Sequence, residues 1–466
     1  MSFISFIRRV FDYIFKRETP KISDPEANLE ENTNERNTKD SERNEIVIAV
    51  ELGMANAGFA FWRRGCKHET FGDKLNINRV PAAVLFNRDK TLHSFGYQAV
   101  RSHFTQAVNK KHSQYLYFRY FALSLYENSR CNTLCSTDCG DIPCDVHIFS
   151  QVLDSLRENA IKSMLDILPD TSDKIGDEIE LILTTPESVT DNGKALIMQA
   201  VQNSKFDEKR FCWVSESDAT AWLCKCQQLQ ITKSNELDHM PMSSKYIVSD
   251  LGAGKSVISV YEIKSETRLK QLAVHVKNIG GNSVNDKFER FMKKICKNGE
   301  WENFKADKHD EYEQLLNQFE EEKVKFDNET ECVILSLTNS LLGIIKENKS
   351  KTHGEEETGV VGDKLVVQKE QMEIFFKRSI KKIMKVFKKI RSNYKQKELN
   401  KILLVGGYSE SEYLRAELKA RLSSFNISLV QNPQMAALNG ALMLGLKYGP
   451  IREDAQSEVF DKLFNE

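Results

Sequence analysis

Cysteine is scarce. Ten in 466 residues are too few for a disulfide-built scaffold, so the thiols are expected mostly free, in a reducing cytosolic or nuclear setting. Long apolar runs are missing as well: no stretch approaches the roughly 18–20 residues that would cross a bilayer. Arg8, Arg9 and Asp12 interrupt the segment where a secretory signal needs an unbroken apolar core. Charge of one sign is not in excess either. Lys and Arg number 66 against 67 Asp and Glu, a net of -1, which leaves no global field for nucleic acid. The sequence shows neither a Ser-His-Asp nor a metalloprotease signature. What is there is 40% apolar and 29% charged residues, enough for a sizeable packed core in a few domains.

Residues 1–17 place Phe3, Ile4, Phe6, Ile7, Val10, Phe11, Ile14 and Phe15 at helical spacing, opposite Arg8, Arg9, Asp12, Lys16 and Arg17. Such a helix suits a membrane interface or an apolar surface on a protein, and its periodicity does not choose between them. Residues 18–45 are rich in acids and nearly devoid of apolar side chains, a composition that predicts a flexible tether. The globular part is expected over 46–447, as a first lobe to about 243 and a second from about 244, with a tail at 448–466. Short β-branched apolar runs predict strands at 46–50, 82–86, 179–185, 245–250, 257–263 and 401–405. Helical patterns lie at about 148–168, 192–203, 284–296, 308–326, 370–396 and 410–421. The mixture predicts α/β lobes with mixed sheets. The strand, glycine turn and strand of 46–61 return at 245–263, which predicts two lobes of like construction.

Three glycine-bearing turns follow apolar strands directly. The first runs through Glu51, Gly53, Met54, Ala55 and Gly58; the second through Asp250, Gly252, Ala253, Gly254, Lys255 and Ser256; the third through Gly406, Gly407, Tyr408 and Ser409, straight into a helix. Glycine lets backbone N–H groups approach phosphate oxygens closely. An acid at a strand end can position Mg²⁺ or a water. A glycine pair at a helix start leaves room for a flat base.

In order and spacing these turns resemble the actin, hexokinase and heat-shock ATPase superfamily: phosphate loop, phosphate loop, adenosine loop. Arg79-Val-Pro81-Ala-Ala-Val, followed by Phe95-Gly96-Tyr97-Gln98-Ala99, looks like a stretch of the seventy-kilodalton heat-shock chaperones. So do Leu183-Thr-Thr-Pro186 with Glu216-Ser-Asp218-Ala219, and the Gly280-Gly281 turn with its acid one place late. Glu320 and Lys323 occupy the place of the family's adenosine clamp, and Ala437-Leu-Asn-Gly440-Ala441 that of its closing helix motif. The long helical stretch 374–391, the VGGYSESEYL turn and the short tail after Gly445, with no room for a peptide-binding domain, are similar to the heat shock 70 kDa protein 12 branch. The resemblance implies two α/β lobes closing over a nucleotide cleft, each with a mixed sheet, flanking helices and a smaller outer subdomain. It implies ATP or ADP, with Mg²⁺ through Asp250, held by Glu51, Gly53, Gly252, Gly254, Lys255, Gly280, Gly281, Glu320, Lys323, Gly406, Gly407 and Ser409. Glu216 and Asp250 are the catalytic candidates.

The departures from the pattern point away from turnover. The first loop carries Glu51 for the usual aspartate, and Met54 and Ala55 where hydroxyls belong. The second loses its middle glycine, its threonine and its final acid, whose place Val257 takes. Phosphoryl transfer needs metal and water placed to a fraction of an ångström, whereas binding depends more on backbone N–H groups, and Lys255 can pair with a phosphate. A heat-shock-like, ATP-binding regulatory protein with weak or absent hydrolysis, acting through protein partners, is expected. A nucleotide-free scaffold with a vestigial cleft and a slow ATPase are the alternatives.

Cys131, Cys135, Cys139 and Cys144, near His147, have spacings that permit zinc; the polar, loop-like segment favours free or redox-active thiols. The Lys-rich stretch 377–396 carries Ile380, Ile383, Val386 and Ile390 at helical spacing, which predicts a docked helix with a solvated basic face.

Overall fold

The computed structural model describes residues 46–53, 55–63, 79–108, 111, 114–119, 121–125, 145–167, 179–187, 189–231, 243–265, 268–296, 299–350, 359–394 and 398–448. The expected helix at 1–17, the tether 18–45, Met54, the four clustered cysteines and residues 449–466 lie outside the described residues.

Strand β1 (Ile46–Leu52) is buried along its whole length, as a continuous apolar run covered on both faces should be. It pairs antiparallel with β2 (Asn56–Arg63) and parallel with β7 (Ile179–Thr185). With β3 (Arg79–Pro81) at one edge and β8 (Phe211–Ser215) at the other, the order is β3-β2-β1-β7-β8. The second lobe repeats the plan with β9 (Lys245–Leu251), β10 (Ser256–Ser265), β11 (Arg268–Lys277), β15 (Leu399–Val405) and β16 (Asn426–Leu429), in the order β11-β10-β9-β15-β16. Again the first pair is antiparallel and the central crossover is parallel. The repeat expected from the two strand–turn–strand patterns is present, as is the expected mixed α/β architecture.

Each lobe also carries a small three-stranded sheet. In the first it is β4 (Ala83–Asn87), β5 (Leu92–Phe95) and β6 (Tyr115–Arg119), beside helix α1 (Tyr97–Val108). In the second it is β12 (Cys332–Ser336), β13 (Val360–Val361) and β14 (Lys364–Gln368). Alternating burial along β12 shows one face covered and one in solvent.

Helix α2 (Val146–Ile167) covers the first large sheet, and α3 (Asp191–Gln202) packs on α2. The second lobe holds α5 (Asn282–Cys296), α6 (Glu300–Asp307), α7 (His309–Lys325), α8 (Asn339–Ser350), α9 (Lys369–Asn393) and α10 (Glu412–Arg421). The apolar stripe of α9 is buried at Ile380, Ile383, Val386 and Ile390, so the basic stretch is the docked helix its pattern predicts. Phe288 of α5 stacks on Phe319 of α7 at 4.0 Å between ring centres, and Phe375 of α9 meets both edge-on.

The lobes join through α4 (Glu216–Ile231) and α11 (Ala436–Tyr448), whose apolar side chains share one core with residues of both large sheets. Helix α11 returns to pack on β1 and β7. A Cβ on Gly440 would collide with the Ala219 carbonyl, so only glycine lets α11 approach α4 this closely. Hydrogen bonds cross the seam: Tyr261 Oη donates to Asp218 Oδ1 (2.9 Å), Tyr246 Oη to the Ala221 carbonyl (3.2 Å) and Lys225 Nζ to the Ser265 carbonyl (2.9 Å).

One expected element differs. The third glycine turn does not run straight into a helix: residues 407–410 form a 3-10 turn, Ser411 accepts the Leu414 N–H as a cap, and α10 starts at Glu412. Gly406 at φ 82° and the capping serine dictate the break.

Candidate functional site

The three glycine turns, far apart in the chain, wall one cavity of about 180 Å³ between the lobes. Gly53, Ala55, Gly252, Gly254, Lys255, Gly406 and Gly407 line it, with Glu51, Glu216 and Asp250. The turns are tight for local reasons. Gly252 donates its N–H to the Lys255 carbonyl (2.9 Å), closing the β9–β10 turn. Gly406 takes a left-handed backbone, and a Cβ there would strike Asp250 Oδ1 and the Leu251 carbonyl. The third turn thus packs against the end of β9 so closely that no larger residue fits at Gly406.

Strand register supplies a residue that motif reading passed over. Glu51 lies opposite Gly58 on β2, and Gly58 opposite Arg79 on β3. Opposed residues project to the same face, and Gly58 has no side chain to stand between them. Arg79 Nη2 therefore reaches Glu51 Oε1 at 2.6 Å, while its Nη1 donates to the Gln434 carbonyl at 2.8 Å, from the turn just before α11. Gln434 in turn donates to Glu410 of the third turn. Glu187, Val276 and Gln434 also line the cavity and carry no signal in the one-dimensional pattern. They are brought in by β-sheet pairing and loop return.

The cleft is electrostatically loaded. Burial raises the Glu51 carboxyl above its ordinary value, and the adjoining Arg79 charge and hydrogen bond oppose the rise. Asp250 is pushed up to about 6, first by burial and then by the Glu51 charge, against the pull of Arg79. Glu216, at the start of α4, rises well above its usual range through burial and the charges of Glu51, Asp250 and Glu187, with Lys255 opposing. Carboxyls so placed hold protons more readily than solvent-exposed ones.

The residues expected on the adenosine side stand apart from this cavity. Gly280 and Gly281 back the second turn: Gly281 donates to the Gly252 carbonyl (3.1 Å) and Asn282 to the Ala253 carbonyl (2.8 Å). Lys323 is 4% exposed; its Nζ donates to Asn285 Oδ1 at 3.0 Å and pairs with Glu320, which also accepts from Asn285. Burial lowers the Lys323 pKa, with Glu320 opposing. A Cβ on Gly281 would sit 3.4 Å from the Tyr408 ring, and Tyr408 is buried, with its hydroxyl 2.6 Å from Ser379 Oγ. Ser409 spends its hydroxyl on the Gly406 carbonyl (2.6 Å). None of Gly280, Gly281, Glu320, Lys323 and Ser409 lines the cavity.

The groups present fit a phosphate chain better than a magnesium ion. Glycine turns and two cationic side chains suit bound oxyanions. Mg²⁺ keeps several waters and takes one or two carboxylates together with the phosphates themselves; among the described residues no three Asp, Glu, His or Cys side chains converge to hold a metal on their own. Ala55 and Val257 line the wall where donors would stand. Asp250, the carboxyl expected to meet Mg²⁺, is opposed across the sheet by Val257, with Glu51 and Glu216 on the same cavity wall.

No protein-family model matches this sequence, and no curated protein matches it. Among solved structures, the chain is similar to the crystal structure of MreB5 of Spiroplasma citri bound to ADP, with a TM-score of 0.51, 10% identity, and coverage of 90% of this chain and 99% of that one. It is similar also to MreB 5 of Spiroplasma citri bound to AMPPNP, at a TM-score of 0.50 and 10% identity, covering 90% and 98%. The chain has the two-lobed, actin-like fold of these structures.

Proposed function

We propose that the cleft binds an adenine nucleotide, ATP or ADP, and that the protein is a divergent, heat-shock-like regulatory protein with weak or no hydrolysis. The observation that carries this reading is the convergence of three separated glycine turns and Lys255 on one cavity between two lobes. The similar MreB structures are bound to ADP and to AMPPNP, which supports it. A ligand that touches both lobes favours the closed arrangement by its differential contacts, and protein partners would read that change. The proposal extends to a cytoplasmic setting and to a membrane surface as the target of residues 1–17.

Slow chemistry follows from the wall. Ala55 and Val257 offer no group to order a water. Glu216, raised well above its usual range by burial and by the charges of Glu51, Asp250 and Glu187, gives up its proton less readily than an exposed carboxyl. Calorimetric titration of the full chain with ADP and ATP, paired with thermal melting, tests binding. Heat and a rise in melting temperature are expected, since a ligand of the native state alone stabilises it. No heat and no shift at millimolar nucleotide would end the reading.

A second reading has one observation in its favour. Lys323, Glu320 and Asn285 satisfy one another where an adenosine would have to be recognised. That mutual pairing supports a nucleotide-free interaction scaffold, which the same titration separates.

A further inference from the structure

Two cationic side chains face the cleft beside four acidic ones, Glu51, Glu187, Glu216 and Asp250. Arg79 enters from edge strand β3, and Lys255 closes the β9–β10 turn; both line the cavity. Two of the three guanidinium nitrogens are engaged, with Glu51 and the Gln434 carbonyl. The third, Nε, is buried with no partner, and so is Glu51 Oε2 beside it. A buried donor without an acceptor is costly, and this one belongs to a planar fork whose geometry matches an oxyanion. Lys255 adds a second positive charge from the opposite lobe, on the turn whose glycines bring backbone close to the ligand.

One Glu51 oxygen is taken by Arg79. Across the sheet, Asp250 is opposed by Val257 and then Val276. Among the described residues no three metal-ligating side chains converge.

We propose that Arg79 and Lys255 hold the phosphate groups of the nucleotide in the place of a divalent cation, so that binding is independent of metal. This rests on the nucleotide reading above and specifies its chemistry. Charge-assisted N–H···O bonds from both lobes clamp the phosphates, and Arg79, already bonded to Gln434 before the closing helix, couples that clamp to the lobe junction. The clamp itself orders no water, so it supports binding rather than turnover.

The test is calorimetric titration of the full chain with ADP and with inorganic tripolyphosphate, in excess EDTA and in millimolar Mg²⁺. Dissociation constants in the two buffers are expected to agree within about threefold. Arg79→Gln and Lys255→Gln should each weaken binding in EDTA by roughly tenfold to a hundredfold, as expected for loss of one charged hydrogen bond. Arg79→Lys, which keeps the charge but not the fork, should recover part of the loss. Cooperative melting of each variant confirms that it folds. Binding that strengthens tenfold or more with Mg²⁺ would overturn metal independence while leaving the nucleotide reading intact. Variants that bind ADP as tightly as the natural chain would overturn the role of the two cations. No heat in either buffer would remove the nucleotide reading and this proposal with it.

Discussion

Each lobe carries the same sheet, and across each sheet runs a row of three residues that opens on the cleft. In the first lobe the row is Glu51, Gly58 and Arg79, on β1, β2 and β3. In the second it is Asp250, Val257 and Val276, on β9, β10 and β11. The backbone pairing is alike, but the chemistry is not. The acid of the first lobe meets a guanidinium across a residue with no side chain, whereas the acid of the second faces two valines. Burial raises both carboxyls, but only Glu51 has a counterion hydrogen-bonded to it. Apolar patterning carries the topology, and both lobes keep it. Single side chains in these rows carry the charge of the site, and they change without disturbing the sheet.

The comparison can be broken outright at the seam that brings the rows together. Gly440→Leu should push α11 off the Ala219 carbonyl and cost at least about 3 kcal/mol, read as lost cooperativity in urea unfolding. A wild-type midpoint would show that the seam has slack.

Giving the second lobe a like charge instead of an ion pair should be nearly as harmful. Val257→Asp places a second acid beside Asp250 with no cation in the row. About 2–3 kcal/mol of destabilisation is expected at pH 7.5, and much less at pH 4 where both acids are protonated. A loss that does not shrink as pH falls would mean that packing, not charge, is the cause.

Arg79→Gln removes the counterion of the first row. Roughly 1–3 kcal/mol of stability should be lost at pH 7.5, and the loss should diminish as Glu51 protonates at lower pH. Denaturant unfolding at the two pH values measures this.

The opposite sign is expected for Asp250→Asn, the smallest of the four effects. Asp250 titrates near 6 when folded, above its ordinary value of 3.8. The folded state therefore bears no cost below about pH 4, when the group is protonated folded and unfolded, and bears all of it above about pH 6. Removing the charge should thus raise the melting point of the unliganded protein at pH 7.5, by about 1–2 kcal/mol of stability, and leave it unchanged at pH 4. A destabilised variant at pH 7.5 would show that Asp250 has a favourable partner.

Much of this was legible along the chain. The apolar runs at 46–50 and 179–185 are central strands because burial on both faces demands continuous apolar residues. The stripe of α9 announced its buried face, and the glycine turns announced positions where backbone must come close. Less visible were α1, α6 and the short strands β6, β8 and β12, whose length gives periodicity little to work on. Arg79 was quoted only as part of a resemblance, because nothing in a linear string says that it lies two strands from Glu51.

The sequence by itself determined the fold class, the twofold repetition of a strand–turn–strand unit, and the glycine turns that line the cleft, since these follow from local periodicity and from glycine's lack of a Cβ. Only the tertiary structure decided which charges meet. Strand register set Arg79 against Glu51 across Gly58, and helix packing paired Lys323 with Glu320 and Asn285 outside the cavity. Such pairings depend on distances of a few ångströms between residues far apart in the chain, and electrostatic energy in a buried site varies steeply over that range.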